Sequence, residues 1–330
     1  MNPKRLIISR TDSIGDVVLT LPLAGIIKEK FPECTILFLG KTYTQPVVQL
    51  SKYVDEFVNW DDVRSAKNPI EVMKKLQADT IIHVFPYKEI ALLANKANIP
   101  TRIGTFGRSF HVLTCNKKVF FSRKKSNLHE AQLNTKLLLP LGIDRAFSNN
   151  DLTHYYGFNS PEPLSEELAS FIDPNKFNLI LHPKSKGSAK EWGLTNFSSL
   201  ISLLPQDQFN IFISGTVEEG ALIGNELPFD QPNVVSLIGK LTLNEFISFI
   251  HHTDGMVAAS TGPLHIAAAL GKTAIGLYSP KKPIHPGRWS PIGPKAQAVV
   301  FNPNCETCEQ GANCDCIRKI SPQTIMDLLR

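Results

Sequence analysis

No stretch of this 330-residue chain approaches the roughly 18 uninterrupted apolar residues of a membrane span. Its first residues, Met1-Asn2-Pro3-Lys4-Arg5-Leu6, include no long apolar segment followed by a small-residue cleavage site, so secretion is not expected and a cytoplasmic protein is. Internal repeats and low-complexity tracts are missing, which excludes a solenoid or a disordered linker protein. Also missing is a Gly-x-Gly-x-x-Gly turn after the first apolar run, which disfavours a nicotinamide-dependent oxidoreductase. Paired carboxylates in an obvious metal-ligand arrangement are absent too, so neither a catalytic metal nor another cofactor is expected.

What remains is an ordinary globular composition, 42% hydrophobic and 20% charged, long enough for two domains with a sizeable core. The formal net charge of +5 lies wholly in residues 1–170, which hold 22 Lys+Arg against 17 Asp+Glu. Its densest part is Lys117-Lys118-Val119-Phe120-Phe121-Ser122-Arg123-Lys124-Lys125. Such a patch suits nucleic acid, an anionic membrane surface or a phosphorylated acceptor, and a solvated strand and turn is the plainer alternative.

Short apolar or β-branched runs at Thr35–Leu39, Thr80–Phe85, Leu179–His182, Phe209–Ser214, Val234–Leu237, Met256–Ala259 and Thr273–Leu277 predict strands. Helices are expected at Val17–Phe31, Asn127–Leu139, Asn196–Leu204 and Thr242–His252. The alternation implies parallel sheets wound by crossover helices. Ile143–Pro163, with Asn149-Asn150, Gly157, Pro161 and Pro163, reads as a linker. The expected fold is therefore α/β, two Rossmann-like doubly wound domains facing a central cleft, at 1–155 and 165–330.

Two turns stand where ligands sit in such folds, just past a strand and at the start of a helix. Arg10-Thr11-Asp12-Ser13-Ile14-Gly15-Asp16 brings a carboxylate; Ser260-Thr261-Gly262-Pro263-Leu264-His265 brings free helix N–H groups. Each also has a plain reading. Asp16 could simply cap a helix, Gly262-Pro263 could be a routine helix entry, and His265 could be a packed histidine. A third segment, His182 to Trp192, holds Lys184, Lys186 and Lys190 in a Ser/Gly-bearing loop suited to phosphate. Ser214-Gly215-Thr216-Val217-Glu218 places a carboxylate where a ribose hydroxyl could bond.

As a set, these segments resemble glycosyltransferase family 9, the heptosyltransferases of the lipopolysaccharide inner core, over almost the whole chain. "RTDSIGDVVLTLP" at Arg10–Pro22 is similar to the family's N-terminal signature, which implies Asp16 as base and Arg10, Ser13 and Gly15 near the acceptor. "SAKEW" implies Lys190 at the donor phosphates, "SGTVEE" implies Glu218 at the ribose with Glu219 beside it, and "STGPLHIAAALGK" implies Ser260, Thr261, Gly262, Leu264 and His265 around the diphosphate. Arg102-Ile103-Gly104 and Leu128-His129-Glu130 also fall where the family has similar segments, adding Arg102 to the acceptor side.

The resemblance implies a GT-B fold, with the acceptor on the N-terminal domain and the nucleotide sugar on the C-terminal one. It further implies an inverting, metal-independent transferase acting from ADP-heptose on an anionic lipid-linked glycan at the inner face of the bacterial inner membrane. Peripheral membrane contact is expected and nucleic acid is not. One residue departs from the pattern: the family usually has aspartate before Thr-Gly-Pro, and here Ser260 offers a hydroxyl without charge. A different nucleotide-sugar donor, or a sugar-nucleotide-binding protein without turnover, therefore stands as the alternative. Cys305, Cys308, Cys314 and Cys316 form a separate cluster whose first spacing suits zinc and whose second, one residue between cysteines, is unusual for it. A structural metal there is the minority expectation, reduced thiols the default.

Overall fold

The structure, a computed structural model, describes residues 2–311 and 313–329. The chain forms two compact units divided between Asn159 and Ser160; the outer limits expected for the domains, 1 and 330, lie outside the described residues. In the first unit, β1 (Arg5–Ser9), β2 (Thr35–Gly40), β3 (Glu56–Asn59), β4 (Thr80–His83), β5 (Thr101–Thr105) and β6 (Lys117–Val119) form one sheet. Its order is β3-β2-β1-β4-β5-β6, and every pair is parallel. Ile7 pairs with Leu37 on one side and Ile81 on the other. All three are fully buried, as expected when helices cover both faces of a parallel sheet.

The second unit repeats the plan with β7 (Phe177–His182), β8 (Phe209–Ile213), β9 (Val234–Ser236), β10 (Gly255–Ala259), β11 (Thr273–Tyr278) and β12 (Ala296–Val300). Here the order is β12-β11-β10-β7-β8-β9, again parallel throughout. In each unit the first strand lies beside the fourth, and the chain leaves these two toward opposite edges. That junction is the switch point at which open α/β sheets bind ligands. The residues after β1 in the first unit, and after β7 and β10 in the second, are the motif-bearing segments.

Several local expectations are corrected. The run Val17–Phe31 is two helices, Ile14–Val18 and Pro22–Lys30, because Pro22 cannot donate its missing N–H to the preceding turn and starts a new helix instead. The helix expected over Asn127–Leu139 is α only at Glu130–Thr135, opened by a His129 and Gln132 capping box, and tightens to a 3-10 helix at Lys136–Leu141 around Pro140. Ile143–Pro163 is not a linker for most of its length. Phe147 and Leu152 are buried, Asn149–Thr153 is helical under a Ser148 and Asp151 capping box, and Ser51 bridges to Phe158.

That segment packs on the helix Pro22–Lys30 at Gly25, where an added Cβ would lie 2.5 Å from the Tyr155 carbonyl oxygen. Backbone cannot swing aside as a side chain can. The Gly25→Ala variant gains about 1 kcal/mol of helix propensity but loses more to overpacking, for a net cost of about 1–2 kcal/mol. Urea unfolding is the check. Unchanged or raised stability would return residues 143–159 to a loosely attached linker.

Candidate functional site

β1 delivers Arg10 to the switch point of the first sheet, its N–H bonded to Leu39 O at 3.0 Å. The side chain is only 3% exposed, so its guanidinium must be matched by acceptors. It donates from Nε to Asp12 Oδ1 at 2.6 Å, from a terminal nitrogen to Asp16 Oδ1, and faces Glu130 Oε1 at 3.4 Å. Burial by itself would lower the guanidinium's pKa, and the three carboxylates overcome that to raise it. Arg123 reaches the same Glu130 oxygen from the opposite side at 3.0 Å and also donates to Asn134 Oδ1 and Val84 O. Asn134 in turn donates to Leu19 O and Thr20 Oγ1, and Thr20 to Asp16 O.

Asp16 therefore sits in a framework of fixed donors. Its carboxylate receives Arg10 and the Ser13 hydroxyl, and the helix Ile14–Val18 has no side-chain cap at all. The plain capping role is thus not the one it plays. Its side chain keeps 17% exposure, enough to be reached. Asp12 shares the cation, and burial pushes its carboxyl up to about 6 with Asp16 adding repulsion. Gly15 lies inside this helix and Ser13 precedes it as N-cap.

In the second unit, the segment after β7 turns at Lys186 (φ +47°) and Gly187 (φ +77°). Glu191 secures it, accepting from Lys184 Nζ at 2.7 Å and the Ser185 N–H at 3.1 Å. Ser188 Oγ reaches Ser260 O at 3.4 Å, joining this segment to the one after β10. There Thr261 caps the helix Gly262–Ala269 without a side-chain bond, so the first-turn N–H groups of Gly262 and Leu264 are offered outward, and Pro263 has none. The Leu264 and His265 side chains are buried, which leaves their backbone as what they present. Lys190 Nζ donates to Asn313 Oδ1 and faces Cys314 O at 3.4 Å, keeping one of its three N–H groups.

After β8, Thr216 and Glu219 form a capping box for the helix Val217–Ile223. Glu219 is consumed by that cap, while its neighbour Glu218 stands exposed with Lys186 Nζ at 3.8 Å. Beside them Val217, Gly220, Phe229, Ile238 and Gly239 line a shallow apolar recess of about 410 Å³. Gly239 must be glycine: its φ is +68°, and a Cβ would lie 2.6 Å from Val217 Cγ2.

The structure thus brings together Arg10, Ser13, Gly15 and Asp16 in the first unit. In the second it joins the segment carrying Lys190, through Ser188, to Ser260 and the helix entry of Thr261, Gly262, Leu264 and His265, while Lys190 itself is turned to Asn313 and Cys314; Glu218 follows the adjoining strand β8. It does not bring Arg102 to the first group. Arg102 pairs with Ile81 within the sheet, three residues short of the level of Arg10, and its guanidinium is bound to the carbonyls of Thr114 and Ile99. Arg123 is likewise no free surface charge. Asp12, Glu130, Arg123 and Asn134 are the residues whose part sequence reasoning missed; Asp12 and Glu130 lay inside the motif segments, while Arg123 was taken into a surface patch.

A sequence model of glycosyltransferase family 9 (heptosyltransferase) matches residues 71–316. The lipopolysaccharide core heptosyltransferase OpsX of Haemophilus influenzae is 24% identical over 305 residues, 86% of this chain and 81% of that protein. Among solved structures, a glycosyl transferase family 9 protein from Veillonella parvula superposes with a TM-score of 0.80 at 17% identity, covering 100% of this chain and 98% of that one. The ADP-heptose lipopolysaccharide heptosyltransferase II of Escherichia coli superposes with a TM-score of 0.74 at 18% identity, covering 99% and 97%. The fold is theirs: α/β, two Rossmann-like units of the GT-B type.

The Asp12 carboxyl makes the charge cluster pH-sensitive in a stated direction. Folding raises it from 3.8 to about 6, so the folded state holds this proton more tightly than the unfolded chain. The stability it contributes is complete below pH about 4 and is lost as pH rises through about 6. Asp12→Asn cannot titrate. Wild type should therefore lose about 1–3 kcal/mol relative to that variant between pH about 4 and about 7, measured by urea unfolding. Parallel profiles would show that Asp12 ionises freely.

Proposed function

The chain belongs to glycosyltransferase family 9, and on that footing we propose that it is an inverting, metal-independent transferase moving heptose from ADP-heptose onto a lipopolysaccharide core-type acceptor. The observation that carries the reading is the Asp16 carboxylate, held by Arg10 and Ser13 instead of by helix N–H groups, and still reachable from solvent. A side chain fixed in this way can take a proton at a defined place. The relatives support the substrate class, since the Escherichia coli structure is that of an ADP-heptose lipopolysaccharide heptosyltransferase.

In this reading Asp16 removes the proton of the acceptor hydroxyl as its oxygen attacks the anomeric carbon. The bond from that carbon to the diphosphate breaks on the opposite face, so the centre inverts. Lys190 and the N–H groups of Gly262 and Leu264 take up the charge that develops on the leaving diphosphate, work done elsewhere by a divalent cation. Glu218 accepts from the ribose, and the recess beside it receives the nucleobase against Ile238 and Gly239. Arg10 orients Asp16 more than it meets the acceptor, because little of it is exposed. Ser260 favours a second reading, a different nucleotide sugar, and titration with ADP, UDP and GDP separates the two.

Asp16→Asn keeps the shape and hydrogen-bonding capacity of the side chain but removes the base. The expected result is a fall in kcat of about 100-fold or more with ADP affinity unchanged. Transfer by wild type should continue when EDTA is added at the start of the assay. Near-normal turnover in the variant would unseat Asp16, and loss of activity restored by Mg²⁺ or Mn²⁺ would unseat the metal-free leaving group.

Among the described residues no helix is long and apolar enough to cross a membrane, so contact with a lipid-linked acceptor would be peripheral. Lys117, Lys124 and Lys125 are exposed at the edge strand β6 and the turn after it, and Phe120 between them is 72% exposed and stacks on Phe106. Replacing Lys117, Lys118, Lys124 and Lys125 by Gln, with Arg123 left in its framework, should weaken flotation with anionic liposomes. Each lysine contributes about 1 kcal/mol at low salt, and added salt should weaken wild-type binding in the same way. Wild type that fails to float at low salt would leave this face merely solvated.

A further inference from the structure

The four clustered cysteines take no part in the sites described above, yet they meet. The sulfurs of Cys305, Cys308, Cys314 and Cys316 all lie within 4.8 Å of one another. Cys305 is 3.6 Å from Cys314 and Cys308 is 3.4 Å from Cys316, sulfur to sulfur. A metal holding four thiolates tetrahedrally at roughly 2.3 Å sets its sulfurs about 3.8 Å apart. The two pairs lie a few tenths of an ångström inside that value, and no pair exceeds 4.8 Å.

The surroundings suit thiolates. The backbone N–H of Cys308 faces the Cys305 sulfur, and that of Cys316 faces Cys314. Ser279 Oγ lies 3.4 Å from Cys308 Sγ and 3.8 Å from Cys316 Sγ, placed to donate to either. Lys281 Nζ binds Gly311 O at 2.7 Å and Lys190 Nζ faces Cys314 O, so two cations flank a group that would carry net negative charge. Moreover, among the described residues from Phe301 to Asp315 only Cys308 is buried. This stretch has no apolar core of its own to hold it.

Its position matters because the cysteine segment is built against the Lys190 segment. Lys190 binds Asn313 and Cys314, Trp192 Nε1 donates to Ile320 O at 2.9 Å, and Asn196 donates to Arg318 O at 2.8 Å. Beyond the cluster, Ile317 and Ile320 enter the core of the second unit. We propose that Cys305, Cys308, Cys314 and Cys316 bind one tetrahedrally held Zn²⁺ or Fe²⁺ ion, and that this ion fixes the segment that positions Lys190. On binding, four thiols release four protons to solvent and four metal–sulfur bonds form, with no oxidation or reduction. The second half of the proposal rests on Lys190 acting at the donor diphosphate.

Elemental analysis of the full chain purified under reducing conditions should find about one ion per chain, and identifies it as zinc or iron. Metal-free wild type given Co²⁺ should develop the thiolate-to-cobalt and visible bands of a tetrahedral site. Cys308→Ser with Cys316→Ser should bind none, and Cys305→His, which keeps four ligands, should bind cobalt with an altered spectrum. Metal-free wild type that develops no such bands, or native protein whose cysteines are paired as Cys305–Cys314 and Cys308–Cys316 disulfides, would overturn the site. Calorimetry with ADP then tests the coupling: affinity should fall about tenfold when the ion is removed, and removal should change nothing in Lys190→Ala. Equal ADP affinity with and without the ion would remove the positioning role, whereas unchanged affinity in Lys190→Ala would remove Lys190 from the diphosphate and leave the metal site standing.

Discussion

Every strand pair named in either sheet is parallel, and a parallel pair forces the chain to return over the sheet before it can pair again. All strand ends of one kind therefore share one edge, and each is followed by a segment that opens a helix. With the first and fourth strands adjacent, the covering helices diverge and leave room between the segments that follow them. The Arg10, Lys190 and Ser260 segments all arise at such junctions, after β1, β7 and β10. The two units share this strand order without any sequence repeat, because topology depends on where apolar runs and turns fall and not on which apolar residues fill them.

The same geometry is put to opposite electrostatic uses. The first unit fills its junction with side-chain charge: Arg10 and Arg123 against Asp12, Asp16 and Glu130. Burying a guanidinium is expensive unless several acceptors surround it, and a lysine could not span three carboxylates in one plane. With three carboxylates to two guanidinium groups, burial pushes the Asp12 carboxyl up to about 6. The second unit puts an uncapped helix start at its junction, with Lys186 exposed and Lys184 and Lys190 half-buried against Glu191 and Asn313. One is suited to hold a base in a fixed direction, the other to receive negative charge that appears only during reaction.

Much of this was legible in the sequence. The strands that were found, such as β2, β4, β8 and β11, are apolar runs between turn residues, and buried parallel strands have little other signature. Those missed are instructive: β5 carries Arg102 and Gly104, and β3 and β12 are edge strands with exposed positions, while β6 matches the strand in the plainer reading of the basic patch. In β3 and β12 polar residues interrupt the apolar run, whereas the edge strand β9 keeps Val234 and Val235 together and was found. The linker at 143–163 was misread for a related reason. Its helix is one turn long and is held by the Ser148 capping box and by packing on Gly25, neither of which has a periodicity.

Residue type did not separate framework from working groups, but position and burial do. Arg102 spends its guanidinium on two backbone carbonyls, and Glu219 spends its carboxylate on the Thr216 N–H. What withdraws them is position: Arg102 lies three residues short of the level of Arg10, and Glu219 is buried. Glu218, one residue away from Glu219, is exposed, with the Thr216 hydroxyl and, at 3.8 Å, Lys186 Nζ as its partners, and Lys190 keeps an N–H. A sequence motif names the neighbourhood in which chemistry can occur. Which of two adjacent carboxylates is available depends on a capping bond, and a capping bond depends on where the helix starts. The resemblance pointed to Glu218 with Glu219 beside it, and the folded chain supplies the physical difference between them: Glu219 is buried in the capping box that starts the helix, and Glu218 stands exposed outside it.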